Sequence, residues 1–452
     1  MANTSTETAI PTADCDKVDE QANIKSEPIQ LCLFSEPISA TDAFARTARY
    51  AADPTEYLRE ALGSGIFEVR KTMLSLPKTV DMDRYGTGAH KQHFEHHIAN
   101  FLGKKHALFF VTGVQAQLAA LKIYCDRAGR QIAAWHISSH LESAEERSFE
   151  ALYSLRRVLL GSDPEALPTL DEIKKVLELP ETERPAVVVI EVPNRVLGCK
   201  TYTFEQLARI SHFCKEAGVA LHMDGARLWE IEPYYNATAG KSFIDVVSLF
   251  DTVYVSFYKA LRGITGAMLV SDDESMIDEA KVWQRRAGGN CYSLAFNVTD
   301  CERGYNENIG TFSGKRQKMI EIVDAINAAT AKYKTPDGRR IVNFVPEKAT
   351  CCQIHTVFAG FLADELVTAR DTVRKATGVS VFERLRPKET VDEKMREERS
   401  KQAAKTVLEG ANPDKDRQFM EWMITSVNEK LETKVFVDVY VALCNELVKE
   451  RK

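Results

Sequence analysis

The sequence predicts an α/β fold in which a large domain, built on a mainly parallel sheet, is followed by a smaller α+β domain. Short apolar runs recur along the chain, and most lack strict alternation, which is typical of strands buried on both faces. Amphipathic helical segments separate them, such as residues 203–217, which end at Gly218. Repeated strand and helix units of this kind favour parallel pairing. The runs are HALFFVT (106–112), RQIAAWHIS (130–138), AVVVIEV (186–192), VALHMDG (219–225), TVYVSFY (252–258) and GAMLVSD (266–272).

Changes in composition divide the chain into four segments. Residues 1–40 are polar and lack periodicity, so we expect a disordered tail. Residues 41–83 form an N-terminal helical segment, with a helical stretch at 57–62 that Gly63 ends. Residues 84–305 carry the strand and helix alternation of the large domain, and residues 306–452 form the small C-terminal domain. In the small domain we expect a long helix near 311–333, strands in TCCQIHTVFAG, VSVFERLR and EWMITSV, and a solvated charged insertion at 388–405.

Charge and composition exclude several classes of function. The net charge is −6, with 59 basic and 65 acidic residues that are scattered along the chain, so no nucleic-acid partner is expected. No apolar run approaches the roughly 20 residues that cross a bilayer, and the first residues lack the basic and apolar regions of a signal peptide. Ten dispersed cysteines without a CxxC pair indicate reduced thiols. These features predict a cytoplasmic protein without a membrane partner.

Two residues at strand ends predict the chemistry. Lys259 and Asp224 each follow an apolar run, and the carboxyl ends of parallel strands meet at one edge of a sheet. A lysine that forms a Schiff base needs a dry site, because only its neutral amine attacks a carbonyl. A buried carboxylate needs a cation, and the protonated ring nitrogen of pyridoxal 5'-phosphate is one. The pair therefore predicts a pyridoxal-phosphate site.

Four stretches in order carry a family resemblance. They are DRYGTGAHKQHFEHHIANFLGKKHALFFVTGVQAQLAAL, SSHLESAEE, VALHMDGARLWE and DTVYVSFYKALRGITGAMLVSD. With them the chain resembles the threonine aldolases, within the β-eliminating lyase group of fold-type I pyridoxal-phosphate enzymes. The match extends over roughly residues 80–300, and HMDGAR together with SFYK at this spacing is its most specific part. The C-terminal third matches loosely.

The resemblance implies a role for each matching residue. Lys259 would hold the cofactor covalently, and Asp224 would pair with the ring nitrogen. Arg227 would contact the ring hydroxyl or nearby substrate groups. His140 would stack on the ring, with Glu145 supporting it from behind.

Phosphate binding is expected at the turn after the run at 106–112. There Thr112, Gly113 and Val114 open a helix whose free N–H groups attract an anion, and Ser256 is a further candidate. Members of the family usually have a hydroxyl residue where this chain has Val114.

Other departures concern the substrate. Ala260 and Arg262 stand where the family usually has glycine, and the loop after the run at 186–192 lacks the family's histidine, so Asn194 or Arg195 would have to serve instead. The α-carboxylate of an amino acid needs an arginine. The candidates that the sequence leaves open are Arg195, Arg285, Arg384 and Arg386.

The implied function is the cleavage of a β-hydroxy-α-amino acid to glycine and an aldehyde, or its synthesis from these two compounds. The alternative is a β-eliminating lyase or an amino-acid racemase, which uses the same cofactor and breaks another bond. The resemblance also implies a homodimer or homotetramer. No metal is expected, although histidines cluster in one helix, because their spacing lacks the order of HExxH. These histidines are His90, His93, His96 and His97.

Overall fold

A computed structural model describes residues 29–33, 38–387 and 417–449 of the chain. Its strands are β1 Ile29–Cys32, β2 His106–Phe110, β3 Ile132–His136, β4 Arg156–Leu160, β5 Val187–Glu191, β6 Ala220–Gly225, β7 Thr252–Ser256, β8 Ala267–Ser271, β9 Val342–Val345, β10 Gln353–Ala359, β11 Val379–Phe382, β12 Arg386–Pro387 and β13 Arg417–Met423. Its helices are α1 Ala40–Ala52, α2 Pro54–Leu62, α3 Ser64–Arg70, α4 Ala89–Phe101, α5 Gly113–Arg127, α6 His140–Ser143, α7 Ser148–Ala151, α8 Leu170–Leu177, α9 Phe204–Ala217, α10 Leu228–Ala239, α11 Phe243–Val247, α12 Glu274–Arg286, α13 Ala295–Asn308, α14 Phe312–Thr330, α15 Ala363–Thr377 and α16 Thr433–Lys449. The charged insertion predicted at 388–405 lies outside the described residues.

The large domain is built on a seven-stranded sheet in the order β2-β8-β7-β6-β5-β3-β4. β8 runs antiparallel to both of its neighbours, and the other adjacent strands are parallel. The predicted mainly parallel sheet is therefore confirmed, and all six predicted strands are present. Because β2, β3, β5, β6 and β7 share one direction, the segments that follow them meet at the same edge.

Local sequence signals explain where the flanking helices begin and end. The predicted helix at 203–217 is α9, whose first turn is closed by a capping box between Thr203 and Gln206. It ends at Gly218, which adopts φ 61°, a left-handed conformation that glycine accepts without strain. The predicted helix at 57–62 is the second half of α2 and ends at Gly63.

The small domain carries a four-stranded antiparallel sheet in the order β12-β13-β10-β9. Helices α14 and α15 both pack on α16. The predicted long helix is α14. Two of the predicted strand regions contain β10 and β11, and the third, EWMITSV (421–427), overlaps the last three residues of β13. The last of them is shifted, because β13 begins at Arg417 and ends at Met423, before the predicted stretch does.

One strand lies within the segment predicted as a tail. β1 pairs in parallel with β11, with Ile29 opposite Val379, and Leu31 is completely buried. Asn428 donates a side-chain hydrogen bond to the Leu31 carbonyl at 3.0 Å. The prediction of a tail through residue 40 was therefore wrong for this stretch, because the polar average of the segment concealed a short apolar run. Residues 1–28 lie outside the described part.

The N-terminal helices are attached to the large domain by a buried polar cluster on α13. We call it the α13 network; it consists of Asp300, Glu302, Arg303 and Glu307. Glu302 accepts hydrogen bonds from Ser75 at 2.6 Å and Tyr50 at 3.0 Å, and its Oε2 lies 2.7 Å from His90 Nε2. Asp300 and Glu307 pair with Arg303 at 2.8 Å each. Thr47 and Tyr57 donate to Asp300 and Glu307.

Three of the four histidines of α4 form side-chain hydrogen bonds within the protein, and His93 is exposed. Besides the bond from His90 to the α13 network, His97 Nε2 lies 3.2 Å from the Tyr305 hydroxyl, and His96 bonds Asn100 in the next turn. Within the described ranges, no group of three or more His, Cys, Asp or Glu side chains could hold a metal ion. The same ranges contain no helix that is both long and apolar enough to cross a membrane.

Candidate active site

Lys259 lies just beyond β7, at the edge where the parallel strands end. Its side chain is partly buried and stacks against the Tyr258 ring, with 4.8 Å between Nζ and the ring centroid. Burial, together with the nearby Arg227 and Arg195 guanidinium groups, lowers the pKa of Lys259 to about 8. A substantial fraction of the amine is therefore neutral near physiological pH, as a nucleophile that attacks a carbonyl requires.

Asp224 is the last residue but one of the neighbouring strand, β6, and 2% of its surface is exposed. Its Oδ1 accepts a hydrogen bond from the Ala226 backbone at 3.1 Å, and the Gln117 side chain of α5 lies close to the carboxyl group. Glu191 stands opposite Asp224 in the register of β5 and β6. Burial raises the pKa of both carboxyl groups, and their proximity raises that of Glu191 further. A cation placed between them would relieve this cost.

His140 and Glu145 form a pair beside the two carboxyl groups. His140 Nδ1 lies 2.8 Å from Glu145 Oε1; the histidine side chain is 35% exposed, and the glutamate side chain is fully buried. Burial opposes protonation of the imidazole, but the hydrogen bond and charge of Glu145 outweigh it and raise the pKa of His140. Because Nδ1 is engaged, Nε2 is the ring atom left for a ligand.

The amino end of α5 lies at the same edge. Thr112 caps this helix of 15 residues, and its hydroxyl accepts from the Gln115 N–H at 3.3 Å. A Cβ at Gly113 would stand 1.9 Å from the Tyr254 hydroxyl, so no larger residue fits there. The completely buried Ser256 hydroxyl forms no hydrogen bond of good geometry within the described part of the chain. Val114, in contrast, packs against an apolar cluster.

Three arginines lie around a glutamate of the small domain, near the same sheet edge. We call this group the Glu421 cluster: Glu421, Arg195, Arg227, Gln353 and Arg386. Arg195 Nε and Nη2 lie 2.7 and 2.6 Å from the two carboxylate oxygens of Glu421. Arg227 donates through Nε to Gln353 Oε1 at 2.7 Å, and Gln353 in turn donates to Glu421. Arg386 Nη1 stands 3.8 Å from the same carboxylate.

The remaining predicted site residues differ in their placement. Asn194 is buried in its loop and uses both halves of its amide, donating to Ser138 Oγ and accepting from the Leu197 N–H, at 3.0 Å each. Arg384 is exposed. Arg285 is exposed on the last turn of α12, and in the described ranges no contact joins it to Lys259.

The unusual residue Arg262 has a clear backbone setting. It adopts φ 63°, in the left-handed region that favours glycine, and its carbonyl accepts from Arg303 at 3.2 Å. This conformation is one that glycine adopts without strain, which fits the glycine that the family resemblance leads us to expect at this position. A Cβ at the facing Gly304 would stand 2.5 Å from the Leu261 carbonyl oxygen, so the two segments approach closely.

Sequence reasoning missed four residues of the site: Gln117, Glu191, Gln353 and Glu421. The signal that could have found Glu421 is its charge within the otherwise apolar run FMEWMI. Gln117 and Glu191 lie in a helix and a strand whose apolar patterns indicate packing, so no pattern in the sequence marks their polar side chains as part of a site.

Comparison with known proteins decides the family. The sequence profile of the beta-eliminating lyase family matches residues 64–384. The chain belongs to this family. An uncharacterized protein of Caenorhabditis elegans is 23% identical over 62% of this chain and 65% of its own length. Low-specificity L-threonine aldolase 1 of Arabidopsis thaliana is 22% identical over 61% of this chain and 72% of its own length. In structure, a Listeria monocytogenes protein assigned as an L-allo-threonine aldolase matches with a TM-score of 0.71 and 29% identity, over 93% of this chain and 97% of that protein.

The family and its structural neighbours are pyridoxal-phosphate enzymes of fold type I, and the residues present fit that cofactor. The amine with the lowered pKa follows β7, which is the strand next to the one that carries the buried Asp224. Buried polar atoms without a hydrogen-bond partner among the described residues occur on Ser256 and Gln117, at the places where the phosphate and the ring are expected. Lys259, Asp224, His140 and the amino end of α5 are thus the groups suited to hold it.

Proposed function

We propose that this protein is a pyridoxal-phosphate-dependent aldolase of the threonine aldolase type, which cleaves a β-hydroxy-α-amino acid to glycine and an aldehyde or forms it from them. The observation that carries the proposal is the arrangement of Lys259, Asp224 and the His140–Glu145 pair at one sheet edge. The family membership and the similarity to threonine aldolases support it.

The bound cofactor supplies an electron sink that weakens the bonds at the α-carbon of an amino acid. Asp224 is suited to keep a proton on the ring nitrogen, since a buried carboxylate gains most from a neighbouring cation. The backbone N–H of Ala226 holds the carboxyl group in place through a hydrogen bond to Oδ1. Lys259, with a pKa of about 8, can release and take up a proton at neutral pH.

His140 is the residue best suited to accept the proton of the substrate hydroxyl. Its Nδ1 is held by Glu145 at 2.8 Å, which orients the ring and stabilises the imidazolium that forms. Transfer would therefore occur at Nε2. The loop that follows β5 contains no histidine to do this instead, and Asn194 is engaged within it.

The missing loop histidine also favours a second candidate. A β-eliminating lyase or racemase would use Lys259 and Asp224 in the same way and remove the α-proton instead of cleaving the carbon–carbon bond. Which bond breaks depends on the one held perpendicular to the cofactor ring.

An assay of products separates the two candidates. The purified protein, loaded with pyridoxal phosphate, is incubated with L-threonine, L-allo-threonine or L-phenylserine, and the aldehyde is reduced by an alcohol dehydrogenase with NADH. We expect aldehyde from at least one of them, and a His140→Asn variant that is slower by about a hundredfold. Absence of aldehyde from all three, with pyruvate formed from L-serine or with loss of optical activity, would establish the alternative.

We also propose that the protein is a homodimer or homotetramer. Two aromatic pairs are exposed: Phe44 of α1 with Phe296 of α13, at 5.6 Å between ring centroids, and Tyr85 with Tyr292, at 5.4 Å. Exposed aromatic side chains in pairs favour a protein interface. Light scattering should give at least twice the chain mass of 50.7 kDa, and a monomer would contradict this.

A cytoplasmic location remains a proposal as well. The nine free cysteines among the described residues, eight of them buried, fit a reducing compartment. Fractionation of cells that express the protein tests it.

A further inference from the structure

Glu421 lies at the centre of the Glu421 cluster, where two domains meet. It belongs to β13 of the small domain, and its side chain is 4% exposed. Arg195, from the large domain, donates two hydrogen bonds to the Glu421 carboxylate, through Nε at 2.7 Å and Nη2 at 2.6 Å. Arg227 and Arg386 stand at 3.9 and 3.8 Å. Three cations thus surround one carboxylate.

The geometry of the pair between Arg195 and Glu421 is the one that arginine uses to bind a free carboxylate. Two parallel N–H···O bonds match the planar guanidinium to the two oxygens. Glu421 therefore makes, on Arg195, the contact that the α-carboxylate of an amino acid would make.

The cluster lies within electrostatic range of the reacting amine. Arg227 and Arg195 are among the groups that lower the pKa of Lys259, and the charge of Glu421 acts on it in the opposite direction. An amino acid bound at Lys259 thus brings its carboxylate into the field of all three groups.

We propose that Glu421 is a specificity-determining residue that competes with the α-carboxylate of the substrate for Arg195. Its negative charge weakens the binding of amino acids relative to amines that carry no carboxylate. The inference rests on the proposed function only in that the substrate is an amine bound at Lys259.

The test is a comparison of glycine with glycinamide, which has the same amine and no carboxylate. Each is titrated into the cofactor-loaded protein, and binding is followed by the absorbance of the cofactor. In E421Q we expect glycine to bind about tenfold more tightly, which corresponds to about 1.4 kcal/mol, and glycinamide to change less than twofold. The matched control is E432Q, which removes an exposed carboxylate from the same domain and should change neither. An unchanged ratio of the two affinities, or weaker binding of glycine, would overturn the proposal.

A second variant tests the cluster without the cofactor. In E421A the three arginines lack their common counter-ion, so a small carboxylate should take its place. We expect sodium formate to raise the melting temperature of cofactor-free E421A more than that of the wild type or E432Q, with sodium chloride as the ionic-strength control. An equal response of all three proteins would contradict the inference.

These measurements require binding and not carbon–carbon cleavage. A shifted ratio in a protein that releases no aldehyde would preserve the role of Glu421 and refute the aldolase. Aldehyde release together with an unchanged affinity ratio would support the aldolase activity and refute the role of Glu421.

Discussion

Two buried acidic regions of this protein differ in how completely their carboxylates are hydrogen-bonded. In the α13 network, both oxygens of Glu302 have donors, and Asp300 and Glu307 are held by Arg303. At the sheet edge, one oxygen each of Glu145 and Glu191 is buried without a partner among the described residues.

A buried polar group without a partner costs about 1–3 kcal/mol, so its presence needs a reason. In the α13 network, complete bonding gives the acids a structural role, since they attach the N-terminal helices to the large domain. At the sheet edge, incomplete bonding indicates a place reserved for a ligand. The number of carboxylate oxygens that have a hydrogen-bond donor therefore distinguishes the structural α13 network from the candidate ligand site better than burial does.

The largest effect should follow from the loss of the amine at the sheet edge. Lys259→Ala is expected to lower the activity by about a thousandfold or more, because covalent attachment of the cofactor is lost. Its melting temperature without cofactor should not fall, since a buried amine with a lowered pKa does not stabilise the fold. Borohydride reduction followed by peptide mass analysis checks the attachment, with Lys281→Ala as an exposed control. Trapping of the cofactor at another lysine would contradict the assignment.

The next effect concerns the α13 network. Glu302→Gln should destabilise the cofactor-free protein by about 3 kcal/mol. The substitution replaces a buried carboxylate that accepts hydrogen bonds from Tyr50 and Ser75 and pairs with His90, and the amide cannot accept at both positions. Urea unfolding measures the loss. Glu60→Gln, at a pair whose partners are both well exposed, should change stability by less than about 0.5 kcal/mol. A similarly small loss in both variants would remove the distinction between the two regions.

The same substitution type should act differently at the sheet edge. Asp224→Asn is expected to lower activity by about a hundredfold, since the ring nitrogen loses its acid. Stability of the cofactor-free protein should change by less than about 1 kcal/mol or rise, because burial raises the pKa of Asp224 and its charged form therefore disfavours the folded state at neutral pH. Urea unfolding beside an activity assay gives both quantities, and a loss as large as that of Glu302→Gln would sink the comparison.

The smallest effect is a pH dependence. Only the neutral amine of Lys259 reacts, and with a pKa of about 8 its neutral fraction rises about tenfold between pH 7 and pH 9. The rate of pyridoxal-phosphate uptake by cofactor-free protein, followed by absorbance, should rise over this interval and level off above it. A rate that keeps rising beyond pH 10 would indicate an ordinary lysine.

Much of the fold follows from the sequence because buried parallel strands leave a plain signal. The six apolar runs of the large domain correspond to β2, β3 and β5–β8, and the positions of Lys259 and Asp224 follow from the edge at which such strands end. β4 was missed, since RRVLL begins with two arginines and only its last residue is buried. β1 was missed because its partner β11 is about 350 residues away along the chain, and a pairing of that range has no local signature.

The contacts between the two domains could not be predicted from the sequence either. Arg195 was one of four candidates for binding the α-carboxylate. No sequence pattern indicates that it forms two hydrogen bonds with Glu421, which lies more than 200 residues later in the chain. The resemblance to the aldolases placed His140 and Glu145 as neighbours, and their hydrogen bond is present. The roles of these residues in binding and catalysis stay predictions until they are measured.

The N-terminal region attaches to the molecule at two distant points. β1 adds to β11 in the small domain, while α1 and α2 reach the α13 network of the large domain. A fragment that begins at residue 40 would keep every residue of the candidate site and lose the strand. Such a fragment would separate the chemistry of the candidate site from the attachment that β1 makes to the small domain.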